Sequence, residues 1–126
     1  MITAIGAKHY VQALEWSAEV YRHAGIIMAN SGRLQGVADE GGFWPVFDSN
    51  EEAIETVLVA IERAGFKAGE EIYIAMDAAA SEFYHADDKM YHFSDGAKRS
   101  SEEMVAYWTE WVNKYPIISI EDGLHE

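Results

Sequence analysis

The feature that most constrains the fold of this chain is an alternation of apolar, strand-length segments with amphipathic helical segments. Three strand-length segments are each followed at once by acidic residues. The segments and the acids after them are Gly36–Ala38 with Asp39 and Glu40, Ile72–Met76 with Asp77, and Ile117–Ile120 with Glu121 and Asp122. Strands that alternate with helices are typical of parallel βα units, and strands that are apolar throughout fit a parallel sheet covered on both faces. The pattern predicts an α/β fold of about three βα units with parallel strands.

Three helices are predicted from apolar residues that recur at three- and four-residue steps. Capping-box patterns, in which a serine is followed three residues later by a glutamate, mark the start of the second and third helices. The predicted helices run from about Lys8 to Asn30, from Ser49 to Gly65 and from Ser100 to Pro116. The apolar stripe predicted for the first helix consists of Tyr10, Leu14, Tyr21, Ala24 and Met28. A small hairpin is predicted around Lys89–Phe93, before the turn signal Asp95–Gly96.

The acidic residues after the strands are candidates for a metal site. In a barrel of parallel strands the C-terminal strand ends share one face, so Glu40, Asp77 and Glu121 are expected there, on adjacent strands. Carboxylates gathered on one face repel each other unless a cation or a proton neutralises them, and an all-oxygen ligand set suits Mg²⁺. An acidic residue after a strand also commonly caps a helix or forms a turn. The spacing alone leaves both interpretations open.

Composition excludes several classes of function. Nine Lys and Arg against 22 Asp and Glu give a formal net charge of −13, which opposes binding to nucleic acid or to anionic lipid surfaces. The chain contains no cysteine, so disulfides and thiolate chemistry are excluded and a reducing compartment is expected. No apolar run is long enough for a membrane span. Because basic side chains are few, a metal ion is the better candidate to hold an anionic substrate, if the substrate is one.

Three segments of the chain resemble the enolase family. Residues Val37–Pro45 are similar to the enolase sequence V-G-D-E-G-G-F-A-P, with Ala38 in place of glycine and Trp44 in place of a small residue. Residues Met76–Tyr84 resemble L-D-x-A-A-S-E-F-Y, and residues Lys114–Leu124 are similar to K-Y-P-I-x-S-I-E-D-G-L almost throughout. The opening Gly6–Leu14 also fits the family pattern. The resemblance covers essentially the whole chain.

The resemblance implies a fold, a reaction and roles for three residues. The fold would be a partial (βα) barrel of the enolase TIM-barrel type, with residues 1–126 forming part of the C-terminal barrel domain. The reaction would be the Mg²⁺-dependent dehydration of 2-phosphoglycerate to phosphoenolpyruvate in glycolysis, by a cytoplasmic homodimer. Glu40 matches the general acid that helps the hydroxyl leave. Asp77 and Glu121 match two of the three carboxylates that bind the higher-affinity Mg²⁺.

The resemblance also implies parts of the enzyme that this chain does not match. The third metal carboxylate and the lysine base fall after Glu126 in the family, and an N-terminal domain falls before Met1. The chain alone is therefore expected to be inactive, to bind Mg²⁺ weakly, and to associate with itself through strand edges such as Ile117–Ile120. Two alternatives remain: a non-catalytic binding or scaffolding module, and another enolase-superfamily enzyme that acts on a different carboxylate.

Overall fold

The computed structural model describes residues Met1–Glu126, which form eight short strands, three α-helices and one 3₁₀ helix. In chain order these are β1 (Ile2–Thr3), α1 (Tyr10–Asn30), β2 (Leu34–Val37), β3 (Phe43–Pro45), α2 (Asn50–Arg63), β4 (Tyr73–Asp77), the 3₁₀ helix (Ala80–Phe83), β5 (Tyr84–His85), β6 (Met90–His92), β7 (Lys98–Arg99), α3 (Ser101–Lys114) and β8 (Ile117–Glu121). None of the helices combines the length and the apolar character needed to cross a membrane. The chain divides into two compact units: an N-terminal unit of residues 3–72 and a C-terminal unit of residues 73–126 with residues 1 and 2.

The N-terminal unit consists of α1, the β2–β3 hairpin and α2. Helix α2 begins as predicted, because the Ser49 hydroxyl accepts a hydrogen bond from the amide of Glu52 at 3.1 Å. The Glu52 carboxylate bonds the Asp48 amide rather than that of Ser49. Helix α1 ends at the predicted glycine, since Gly32 takes the left-handed conformation with φ 70°. These ends are fixed by hydrogen bonds between near neighbours in sequence, which is why the sequence indicates them.

The predicted apolar stripe of α1 is only partly covered. Met28 is buried, whereas Tyr10 and Leu14 are exposed and Tyr21 is 45% exposed. Helix α1 instead buries Val20 together with Met28. The covered part of the stripe lies towards the C-terminal end of the helix, where the rings of Tyr21 and Phe43 stack at 4.2 Å. The first half of the predicted apolar stripe is therefore left uncovered.

The C-terminal unit is organised around β4 and β8, which pair in parallel as the sequence predicts. They belong to a three-stranded sheet with the order β1-β4-β8. The predicted hairpin is the first half of an antiparallel sheet, β5-β6-β7, with Gly96 in the left-handed conformation in its second turn. Tyr91, Met104 and Ala80 form a fully buried cluster, against which Phe83, Tyr84, Phe93 and Trp108 pack. Helix α3 begins at Ser100 with a complete capping box.

The structure corrects the prediction that all three acidic segments end adjacent parallel strands. Strand β2 is paired antiparallel with β3, with Val37 opposite Phe43, so this segment is a hairpin and not a further parallel strand. The cause is local. The five residues from Ala38 to Gly42 reverse the chain within one tight turn, which leaves no room for the crossover that a parallel connection requires. The fold is mixed α/β, with β4 and β8 paired in parallel, and the strands do not close into a barrel.

Candidate active site

Asp77 and Glu121 lie side by side at the C-terminal ends of neighbouring strands. They are register partners in the parallel pair β4–β8, and both are exposed. Neighbouring strands are about 4.8 Å apart, so the two carboxylates start from backbone positions close enough to share one cation. This confirms the predicted position of these two residues relative to each other.

The backbone around these two carboxylates is held by hydrogen bonds that link both strand ends. The amide of Ala78 donates to the carbonyl of Glu121, and the amide of Ala80 donates to the carbonyl of Asp122, both at 2.9 Å. The Asp77 Oδ1 atom accepts a bond from the amide of Ala79 at 3.0 Å. One oxygen of Asp77 therefore orients the turn, and its other oxygen is the more available to a ligand.

Two residues beside the carboxylates adopt a backbone conformation that L-residues rarely take. Ala79 has φ 44° and Asp122 has φ 47°. A non-glycine residue in this left-handed region raises the free energy of the folded chain by about 1 kcal/mol or more. Such strain persists only where surrounding contacts determine it, and it concentrates at functional sites. Here the two bonds from Ala78 and Ala80 supply those contacts.

The segment after β8 is anchored to α3 and to the β5–β6 strands. The Trp108 indole donates from Nε1 to the carbonyl of Gly123 at 2.7 Å. A Cβ atom at Gly123 would lie 3.3 Å from both Ile120 and Trp108, so both side chains would have to shift slightly to admit it. The His125 ring stacks on Tyr84 at 3.7 Å, and its amide donates to the Tyr91 hydroxyl at 3.0 Å.

Sequence reasoning did not identify Trp108, Tyr84 or Tyr91 as residues that position the site. In the sequence Trp108 is marked only by its helical spacing, which is just as typical of a residue that packs in the core. Tyr91 lies 34 residues before its partner His125, so no local pattern could connect them. Tyr84 lies within the family motif Met76–Tyr84, and its position there was the one available clue.

Glu40 lies in the N-terminal unit, in the turn of the β2–β3 hairpin. The amide of Gly41 donates to the carbonyl of Ala38 at 2.9 Å, and the amide of Ala38 donates to the carbonyl of Gly42 at 2.8 Å. Gly41 has φ 88°, which a side chain would strain. The turn followed by a left-handed glycine is a common hairpin connection. Gly41 is thus the residue that lets the chain turn directly after Glu40.

Helix α1 anchors this turn. The Tyr21 hydroxyl donates to the carbonyl of Gly41 at 2.9 Å, while the Tyr21 ring stacks on Phe43. The Phe43 ring covers Gly25, where a Cβ atom would come within 2.7 Å of it. Gly25 is therefore needed for the close approach of the hairpin to the helix. Glu40 is exposed on a turn whose two ends are both fixed.

An open hollow of about 410 Å³ lies beside Glu40. Its walls are formed by the turn and the first residues of β3, including Asp39, Glu40 and Phe43. Trp44, the residue that replaces a small family residue, also lines it and is 66% exposed. A small anionic ligand in this hollow would face two carboxylates, so a bound cation or a protonated glutamate would be needed to hold it.

The carboxylates of Asp77 and Glu121 are of the chemical type that binds Mg²⁺, but two are too few to form a complete protein site. Asp77 and Glu121 supply hard carboxylate oxygens, the ligands that Mg²⁺ takes together with water and substrate oxygens. No group of three or more His, Asp or Glu side chains is arranged to hold a metal ion. Asp77 and Glu121 thus bring two carboxylates together, which is fewer than such a group requires.

Comparison with known protein families agrees with these features. The family model described as the enolase C-terminal TIM barrel domain matches residues 1–126, the whole chain. The parallel β4–β8 pair with acidic C-terminal ends is the arrangement in which a TIM-barrel domain places its site. The chain therefore belongs to the family of enolase C-terminal TIM barrel domains.

Proposed function

We propose that this chain is a segment of an enolase that dehydrates 2-phosphoglycerate to phosphoenolpyruvate. Family membership supports an enolase-superfamily lyase. The single observation that carries the finer assignment is the register pairing of Asp77 with Glu121, within sequence segments that resemble enolase almost residue for residue. The complete enzyme would act in the cytoplasm as a homodimer, without nucleic acid or membrane partners.

Asp77 and Glu121 would hold Mg²⁺ through carboxylate oxygens. When bound, Mg²⁺ supplies positive charge that stabilises a substrate carboxylate as it gains negative charge. The bond from Ala79 to Asp77 Oδ1 keeps this side chain in one orientation before a ligand arrives. Preorganisation of this kind avoids an entropy cost at the moment of binding.

Glu40 would act as the general acid that protonates the departing hydroxyl. An acid of this type must be held within reach of the leaving oxygen. The bonds that close the Ala38–Gly42 turn, together with the bond from Tyr21 to Gly41, limit the movement of Glu40 while its side chain stays exposed. The resemblance assigns proton abstraction to a lysine that no residue of this chain matches, so residues 1–126 alone are expected not to turn over.

The test is turnover of 2-phosphoglycerate by the complete enzyme that contains this segment. Glu40→Gln should lower kcat by about 10²-fold or more, the usual contribution of a positioned acid. Glu110→Gln is the matched control, because Glu110 is an exposed glutamate on α3. Wild-type kcat in the Glu40 variant would refute the role of Glu40. Turnover of a different carboxylate, but not of 2-phosphoglycerate, would instead place the protein elsewhere in the superfamily.

A further inference from the structure

One face of the antiparallel sheet β5-β6-β7 carries two histidines. His85 on β5 is the register partner of Met90, and His92 lies two residues further along β6, so the two imidazoles occupy diagonal positions on the same face. Their rings stack with centroids 3.7 Å apart and planes inclined by 11°. The opposite face carries the fully buried Tyr91. His85 is exposed and His92 is half-buried, so a small ligand can reach the pair from solvent.

Asp88, in the turn between β5 and β6, fixes one of the two imidazoles. The His92 Nε2 atom lies 2.9 Å from Asp88 Oδ2 and 3.1 Å from Oδ1. A carboxylate only accepts hydrogen bonds, so Nε2 carries a hydrogen and donates it, and in the neutral imidazole Nδ1 keeps its lone pair. Histidines that bind metal ions commonly donate their second ring nitrogen to a carboxylate in this way, which orients the ring and raises its basicity as a ligand.

The spacing of the two rings suits a single metal ion. Zn²⁺ binds imidazole nitrogen at about 2.0–2.1 Å in tetrahedral geometry, which places two ligand nitrogens about 3.4 Å apart. The stacked rings are 3.7 Å apart, so a rotation of the exposed His85 ring brings both lone pairs towards one point. The Lys98 ammonium is paired with Asp88 at 2.8 Å, which offsets its repulsion of a cation. Because no group of three ligand side chains is arranged there, water completes the coordination.

We propose that His85 and His92 bind a divalent transition-metal ion such as Zn²⁺ through one ring nitrogen each, and that Asp88 holds His92 in the tautomer that can bind it. Imidazole nitrogen suits zinc, copper and nickel, whereas Mg²⁺ prefers oxygen ligands. The site therefore differs in chemistry from the strand ends at Asp77 and Glu121. Its residues all belong to one antiparallel sheet and its first turn. The inference does not rest on the proposed enzymatic function.

The site is tested by titrating the full chain with ZnCl₂ while long-range proton–nitrogen NMR spectra record the ring nitrogens of its five histidines. His92 Nδ1 and one nitrogen of His85 should shift at the lowest zinc concentrations, and the hydrogen on His92 Nε2 should be retained. An excess of MgCl₂ added beforehand should not prevent these shifts, because Mg²⁺ prefers oxygen ligands. Other histidines shifting first, or loss of the shifts in MgCl₂, would overturn the proposal.

Substitution of each histidine shows whether the two act together. His85→Asn, followed at His92, and His92→Asn, followed at His85, should each raise the zinc dissociation constant about tenfold or more, since loss of a supporting contact alone has an effect of that size. His23→Asn is the control: His23 Nε2 lies 3.3 Å from Glu19, so this histidine has a carboxylate partner on α1 without a second imidazole. An unchanged constant in either ligand variant would refute a shared ion.

The role of Asp88 is tested by Asp88→Asn. The asparagine keeps Oδ1 for the Met90 amide, which donates to that atom at 3.3 Å, but offers His92 an N–H group where Oδ2 was. The zinc-free spectra should therefore show His92 changing to the tautomer with its hydrogen on Nδ1, and zinc binding should weaken about tenfold. Asp87→Asn removes the same charge from the neighbouring exposed residue and should change neither the tautomer nor the affinity. Equal behaviour of the two variants would overturn the positioning role of Asp88.

Discussion

At the scale of single residues, Asp77 and Glu121 differ in what their oxygens already contact. One oxygen of Asp77 accepts a bond from the amide of Ala79, whereas for Glu121 it is the backbone carbonyl that accepts, from the amide of Ala78. Asp77 is thus the more firmly oriented carboxylate. Its removal should therefore affect metal binding both through charge and through the loss of an oriented ligand.

We expect Asp77→Asn to weaken Mg²⁺ binding by the 126-residue chain at least about tenfold, because the attraction between a divalent cation and a carboxylate is lost. Asp87→Asn makes the same chemical change at an exposed loop position and serves as the control. NMR titration with MgCl₂, followed at the amides of Ala78 and Asp122, measures the affinity. Equal affinities for the two variants would mean that Mg²⁺ binds the general negative charge and not these strand ends.

A second residue-scale feature is Asp88, an exposed carboxylate between Lys98 and His92. A hydrogen bond from the Lys98 ammonium, assisted by His92, lowers the pKa of Asp88 to about 2. The Lys98 Nζ atom lies 2.8 Å from Asp88 Oδ2, and the His92 Nε2 atom lies 2.9 Å from it. Because the folded-state pKa is depressed, the stabilisation is present above the ordinary value of 3.8 and is lost as the pH falls towards about 2.

Lys98→Ala should therefore raise the pKa of Asp88 towards 3.8. The free energies of unfolding of wild type and variant should also converge as the pH falls from 3.8 towards about 2, because the wild type loses the Asp88 interaction there. Carboxyl NMR shifts measure the pKa directly. Lys8→Ala removes the same charge from the N-terminal unit and should leave the Asp88 titration unchanged. An unaltered Asp88 titration in the Lys98 variant would show that His92, and not the lysine, holds the carboxylate.

At the scale of elements, α3 holds the segment after β8 through a hydrogen bond from Trp108. The Trp108 indole bond to the Gly123 carbonyl, at 2.7 Å, is partly buried. Trp108→Phe keeps most of the ring but leaves that carbonyl without its donor. We expect a loss of about 1–2 kcal/mol in the free energy of unfolding, measured by urea titration. Trp44→Phe, on an exposed tryptophan, should change it by less than about 0.5 kcal/mol. Similar losses in both variants would contradict a specific role for the indole bond.

The elements that sequence reasoning predicted correctly are those fixed by neighbours along the chain. The Ser100–Glu103 capping box and the left-handed Gly32 follow from side chains within three residues of each helix end. The pairing of Asp77 with Glu121 followed from the general rule that consecutive βα strands lie parallel. These features need no knowledge of distant contacts.

The β2–β3 hairpin was missed because nothing in its sequence outweighs the parallel interpretation. Strand β3 has three residues and ends in Pro45, which argues against a regular strand. The contact that secures the turn, from Tyr21 to Gly41, spans 20 residues. The exposure of Tyr10 and Leu14 was equally beyond reach, because periodicity identifies an apolar face but not whether another element covers it.

At the scale of the whole molecule, the net charge of −13 is the dominant electrostatic property. Nine cations cannot pair with 22 carboxylates, so most acidic side chains repel one another in the folded state. An excess of like charge destabilises a compact chain through this repulsion. Salt reduces the effect, since the screening length falls from about 30 Å at 0.01 M to about 10 Å at 0.1 M ionic strength.

We therefore expect the midpoint of thermal unfolding to rise by about 3 °C or more between 0.01 and 0.3 M NaCl, which corresponds to roughly 1 kcal/mol for a domain of this size. The melts should be recorded at low protein concentration, so that self-association of the chain contributes little. Replacing the exposed Glu62, Glu82 and Glu110 by glutamine removes three negative charges and should reduce the rise. A midpoint that falls with salt, or a rise that is equally large in the glutamine variant, would show that local ion pairs such as Arg33 with Glu52 outweigh the net charge.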